Sequence, residues 1–110
     1  MALYYDNDTR HIAPAGGLHA VERVYAIQLS KFTDRHSERL RQTYESLPEF
    51  SGYGNDGVPF WYGTEDSPPF LWASVEPSGL LVHGVLSPEQ WRTWDAQFCQ
   101  HLADFPTFEV

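Results

Sequence analysis

Cysteine occurs once in this chain, as Cys99, so no disulfide can staple the fold from within. A lone thiol fits a reducing compartment, and a cytoplasmic setting is the reading taken. No apolar run approaches the roughly 20 residues that span a bilayer. The opening residues, MALYYDNDTRH, have neither the basic start nor the apolar stretch of a signal peptide. Both absences argue against membrane insertion and secretion. Bases are scarce beyond residue 41. Residues 42–110 hold ten acids and only Arg92, whereas residues 1–41 hold six bases against five acids. So acidic a region repels a phosphate backbone, which argues against direct nucleic-acid binding and for encounter with a basic protein. Acidity that only keeps the domain soluble is the plainer alternative.

Catalytic signatures are missing as well. There is no G-x-S-x-G, no P-loop, no C-x-x-C and no helical H-x-x-x-H. Lys31 is the only lysine, and nothing marks it for Schiff-base chemistry. Cys99 and His101 lie two positions apart, which on a helix turns them roughly 200° from each other, so they form no dyad. Five histidines and the Asp6/Asp8 pair lack dedicated metal spacing. Gly52-Tyr53-Gly54-Asn55-Asp56-Gly57 spells G-x-G-x-x-G. The dinucleotide mechanism needs that turn between a strand and a helix, and here a helix precedes it and a strand follows. It is read as a flexible loop. No catalytic residue, metal or cofactor is assigned, and the balance leans away from an enzyme.

What the chain does have is apolar and aromatic surface. Its 110 residues are 42% hydrophobic and include seven Phe, six Tyr and four Trp. That suffices for one domain with a real core. Residues 1–19 read as irregular, with turn chemistry at Asp6-Asn7-Asp8 and Pro14-Ala15-Gly16-Gly17, although Ala2–Tyr5 suits a short edge strand. Val21–Leu29 alternates like a strand. Thr33 caps a helix over Asp34–Ser46, whose apolar stripe (Phe32, His36, Leu40, Tyr44, Leu47) is narrow. Ser51–Gly57 is the loop already noted. Val58–Gly63 is a short strand with Pro59 at an edge or a start. Phe70–Glu76 and Gly79–Leu86 form a hairpin about Pro77-Ser78, a type I turn. Ser87-Pro88-Glu89-Gln90 is a capping box that opens the last helix, which carries Trp91, Trp94, Phe98, Leu102 and Phe105 and stops at Pro106. The expected fold is α+β: a single-domain antiparallel sheet of about four strands with two helices, in β-α-β-β-β-α order. The first crossover is the one place for a parallel pair.

The hairpin is the informative element. If Pro77 and Ser78 are its loop, cross-strand partners sum to 155. One face then carries Leu71, Ala73, Val75, Leu80, Val82 and Gly84, a small aliphatic bed for the Trp-rich helix. The other carries Phe70, Trp72, Leu81, His83 and Val85. Either the first helix covers it in a three-layer fold, or a second copy of the chain does, or another protein does. Trp61 and Tyr62 sit among the acidic Asp56, Glu65 and Asp66, the composition of an interface for a basic partner. The expected partner-binding residues are Trp61, Tyr62, Glu65, Asp66, Phe70, Trp72, Leu81, His83 and Val85. Ordinary core aromatics beside solvated charges are the plainer reading of the first four.

The function that fits best is a small acidic module that inhibits or regulates a basic partner, nucleic-acid-processing proteins being one such class. Toxin-immunity proteins and phage-type inhibitors share this physics. The alternatives are a small-ligand protein or small enzyme with a pocket between the sheet and the first helix, lined by Trp72, His83 and Tyr44, and a homodimeric structural protein joined through the second hairpin face.

Overall fold

In the computed structural model, the described residues are 4–10 (backbone only), 17–64 and 66–107. They form strands β1 (Tyr4–Arg10) and β2 (His19–Tyr25), helix α1 (Asp34–Ser46), strands β3 (Phe50–Tyr53), β4 (Pro59–Trp61), β5 (Phe70–Glu76) and β6 (Gly79–Leu86), and helix α2 (Pro88–His101). The sheet has six strands in the order β1-β2-β6-β5-β4-β3. Every pairing is antiparallel. The fold is α+β, with more strands than expected. The crossover expected to be the one place for a parallel pair instead uses α1 to carry the chain from β2 to β3 at the far edge.

The two extra strands come from segments with poor strand chemistry. β1 lies at the sheet edge in the stretch read as irregular; of the short edge strand expected there over Ala2–Tyr5, Tyr4 and Tyr5 do pair, and the strand runs on to Arg10. Its sequence is rich in Asp and Asn, residues depleted from strands, and a bulge between Asp6 and Asp8 shifts its register against β2. β3 lies in the stretch read as a loop and bulges between Phe50 and Gly52. The Gly-rich motif after it is a built hairpin turn: Gly54 N–H donates to Val58 O at 2.8 Å and Gly57 N–H to Gly54 O at 3.0 Å. Pro59 begins β4, a strand-start position that needs no donor of it. β2 ends earlier than its alternation suggested. Ile27 N–H donates to Tyr25 O at 2.7 Å, a three-residue turn that buries Tyr25, Ala26 and Ile27 together.

The hairpin register is the expected one, with Phe70 opposite Val85, Leu71 opposite Gly84, Trp72 opposite His83 and Val75 opposite Leu80. Both helices open on capping boxes. Thr33 Oγ1 accepts from His36 N–H while His36 Nδ1 accepts from Thr33 N–H. Ser87 and Gln90 do the same at 3.0 Å each, with Pro88 in the first turn.

Trp61 decides the layering. It is fully buried and pairs with Leu71 across β4 and β5, so it shares the core face of the hairpin. Its indole N–H donates to Tyr44 O at 3.0 Å, which docks α1. Its ring meets Trp94 of α2 edge-on at 5.0 Å. Both helices therefore pack on one face of the sheet. The three-layer arrangement is overturned: the narrow α1 stripe (Leu40, Tyr44, Leu47) buries beside α2 and not opposite it. Leu71, Ala73, Leu80, Val82 and Gly84 lie under the helices as expected. Val75 does not. It is 57% exposed at the hairpin tip, where it borders a shallow groove with Leu29, Phe32, Leu40, Tyr44 and Tyr53.

Candidate functional site

With both helices on one side, alternation puts the remaining side chains of β2, β6, β5 and β4 on the other. Cross-strand register arranges them in rungs. Glu22, His83, Trp72 and Phe60 form one rung across four strands. Val24, Leu81 and Ser74 form the rung toward the hairpin tip; Ala20, Val85 and Phe70 form the rung on the other side. Among the described residues no helix covers this face. His83 sits at its centre, with ring centroids 5.3 Å from Trp72 and 6.2 Å from Phe70. Its Nδ1 is buried and has no hydrogen-bond partner among the described residues. Trp72, Leu81, His83, Val85 and Phe60 are half-buried, while Phe70 is buried.

Acids border the face. Asp56, in the β3–β4 turn, Val58, Phe60, Trp72 and Ser74 line an open cleft of about 210 Å³. Ser74 Oγ donates to Glu76 Oε2 at 3.2 Å, which places a second carboxylate beside the cleft. Glu22 stands at the opposite end of the aromatic rung. The bases whose side chains are described lie elsewhere. Arg41 pairs with Glu38 and Glu45, and Arg39 with Asp104, on the helical layer. Where side chains are described, no Lys or Arg stands on the open face.

The structure brings together Phe70, Trp72, Leu81, His83 and Val85, as the hairpin reading required. It separates them from the loop group. Trp61 is core, not a surface anchor. Tyr62 is half-buried at φ 71°, and its hydroxyl donates to Gln90 O at 3.3 Å, tying the β4–β5 loop to α2. Burial raises the pKa of that hydroxyl. Asp66 is exposed in the same loop, and Glu65 lies outside the described residues. The pocket imagined for Trp72, His83 and Tyr44 does not form, because Tyr44 packs on Trp61 at 5.7 Å in the helical layer. Phe60, Glu22 and Glu76 were missed; Asp56 was grouped with Trp61 and Tyr62, and Ser74 falls on this face by the hairpin register but was not among the expected binding residues. Phe60 was findable: in a strand beginning at Pro59, Phe60 and Trp61 must face opposite ways.

A second polar cluster lies on the helical side. Asp95 Oδ1 accepts from Arg23 at 3.0 Å, from the Tyr25 hydroxyl and from Cys99 Sγ at 3.6 Å, and Arg23 stacks over Trp91 at 5.1 Å. This cluster clamps α2 to β2. Burial and the Asp95 charge push the Cys99 thiol up to about 11 and raise Tyr25 well above its usual value. The thiolate is scarce at neutral pH, so Cys99 is poorly placed as a nucleophile. Its alkylation by iodoacetamide at pH 7.5 is expected to run about a hundredfold slower than that of an exposed cysteine, with a rate-versus-pH midpoint near 11. A midpoint near 9 would count against the cluster. Because the folded pKa is raised, the thiol favours folding below about pH 9, and that contribution fades as pH climbs toward 11. Among the described residues no three His, Cys, Asp or Glu side chains gather as a metal group. No described helix is long and apolar enough to cross a membrane.

Comparison with protein-family models, with curated proteins and with solved structures finds no match to this chain.

Proposed function

We propose that the open sheet face is a docking surface for a basic protein, and that the chain inhibits or regulates that partner by occupying it. The observation that carries this reading is the rung Glu22–His83–Trp72–Phe60, which no helix among the described residues covers and which Asp56 and Glu76 border. Half-buried aromatics at the centre with carboxylates at the rim match the anatomy of a protein interface that selects positive charge. Aromatic sheet faces also stack single-stranded nucleic acid, but that use needs cations to track the phosphates, and the described side chains of this face supply acids instead. A twofold homodimer through the same patch sets its acidic rim near its own copy, which disfavours that arrangement.

Salt tests the electrostatic part. The immobilised protein is expected to retain a basic protein from its host's lysate at about 0.05 M salt and to release most of it at about 0.5 M. Retention that is indifferent to salt, or a retained partner that is acidic, would contradict the proposal. Light scattering should report a monomer at high micromolar concentration.

A further inference from the structure

We infer that the cleft between Phe60 and Trp72 is a receptor for a guanidinium group, an arginine of the partner. This rests on the docking face proposed above and narrows it to one side chain. The cleft, of about 210 Å³, combines two aromatic walls, one carboxylate and one hydroxyl. A guanidinium is planar, so it can stack on an indole or phenyl face while its N–H fork meets a carboxylate edge. An ammonium satisfies the charge but not the stacking.

The carboxylate is held in place by the turn. Asp56 Oδ1 accepts from Val58 N–H at 3.2 Å, which fixes the side chain and leaves the second oxygen to an incoming donor. Glu76, bonded to Ser74, reinforces the charge from the next strand. The Gly-rich motif acquires a purpose here. A Cβ on Gly54 would lie 3.2 Å from Phe60 Cε1 and 3.3 Å from Asp56 Oδ1, so glycine at 54 lets the aromatic wall and the acid close on the same turn. The motif builds one end of the cleft, with no phosphate involved.

The test is a titration of the full chain, followed by amide and indole NMR shifts, with acetyl-Gly-Arg-Gly-amide and its Lys and citrulline counterparts at millimolar concentrations. Citrulline keeps the planar shape and removes the charge. The arginine peptide is expected to give saturable shifts confined to residues 54–60 and 72–76. The lysine peptide should bind about threefold or more weakly, and the citrulline peptide should give no saturable shift. Asp56→Asn should weaken arginine binding about fivefold or more, while Asp66→Asn, which removes the same charge from the loop at the other end of the sheet, should leave it unchanged. Citrulline binding as well as arginine, scattered shifts, no shift, or equal effects of the two Asn variants would overturn the receptor. A cleft that takes arginine while the partner still binds a chain with Phe60 and Trp72 replaced by alanine would overturn the docking face and the partner's arginine as occupant, and leave only the cleft's affinity for a guanidinium. A partner that needs the face, with citrulline equal to arginine, would overturn the receptor and leave the docking face standing.

Discussion

Replacing Trp94 by alanine is expected to cost about 3–5 kcal/mol of folding stability. The indole is fully buried, with ring centroids 5.0 Å from Trp61, 6.0 Å from Trp91 and 5.2 Å from Phe98. It also meets Tyr25 of β2 at 6.3 Å, and Trp61, which meets Tyr44 of α1 and Phe50 of β3, ties it to the first helix and the sheet edge. A domain of this size holds only about 5–15 kcal/mol in total, so the variant should be close to unfolding at ambient temperature. Denaturant titration followed by circular dichroism measures the loss. Trp94→Phe supplies the contrast. The Trp94 N–H has no acceptor among the described residues, so phenylalanine keeps the stacking and removes an unsatisfied donor. Its cost should fall well below that of the alanine variant, because the cavity left is much smaller. Equal losses for the two variants would mean that the aromatic packing is wrong.

Phe60 and Trp61 are neighbours in sequence and should behave as opposites. Trp61→Ala removes a fully buried ring and should cost about 3–5 kcal/mol of stability. Phe60→Ala combined with Trp72→Ala removes half-buried rings from the open face and should leave a folded domain. Its effect belongs in binding: a loss of about 2 kcal/mol or more, about thirtyfold in affinity for the basic partner, as expected of central aromatic anchors. Isothermal titration with the purified partner, beside thermal melts of the same variants, separates the two effects. A Phe60/Trp72 double variant that binds normally would remove the aromatic rung from the interface.

The same pair of residues marks where the sequence was readable and where it was not. The hairpin was legible down to individual partners, because its turn residues and the period of two leave a single register in which both strands keep their faces. Thr33 and Ser87 were legible as caps because a hydroxyl before a helical run has one obvious task. The sides on which the helices lie were not legible. A stripe such as Leu40–Tyr44–Leu47 states that α1 buries one face, not which face of the sheet receives it. The decision rests on Trp61, whose acidic neighbours gave it the look of a surface anchor. Assigning Trp61 to the interface left Phe60 without a role, although the two must lie on opposite faces of the sheet. Asp56 and Glu76 joined the site only through the β3–β4 turn and the hairpin tip, which meet at one end of the sheet by topology and not by closeness in sequence. The strand β3 that places that turn was hidden by Gly52 at φ 119° and by a length of four residues.

Site-specific photo-crosslinking in the native host tests the docking face most directly. A benzophenone amino acid is placed singly at Trp72 or Ser74 on the open face, and at Arg35 or Arg92 on the exposed helical layer. The open-face probes are expected to trap one basic protein in a discrete adduct that fades at high salt, and the helical probes to trap nothing in common with it. An adduct with that protein from Arg35 or Arg92 and none from Trp72 or Ser74 would place the interface on the helices and contradict the role given to this face.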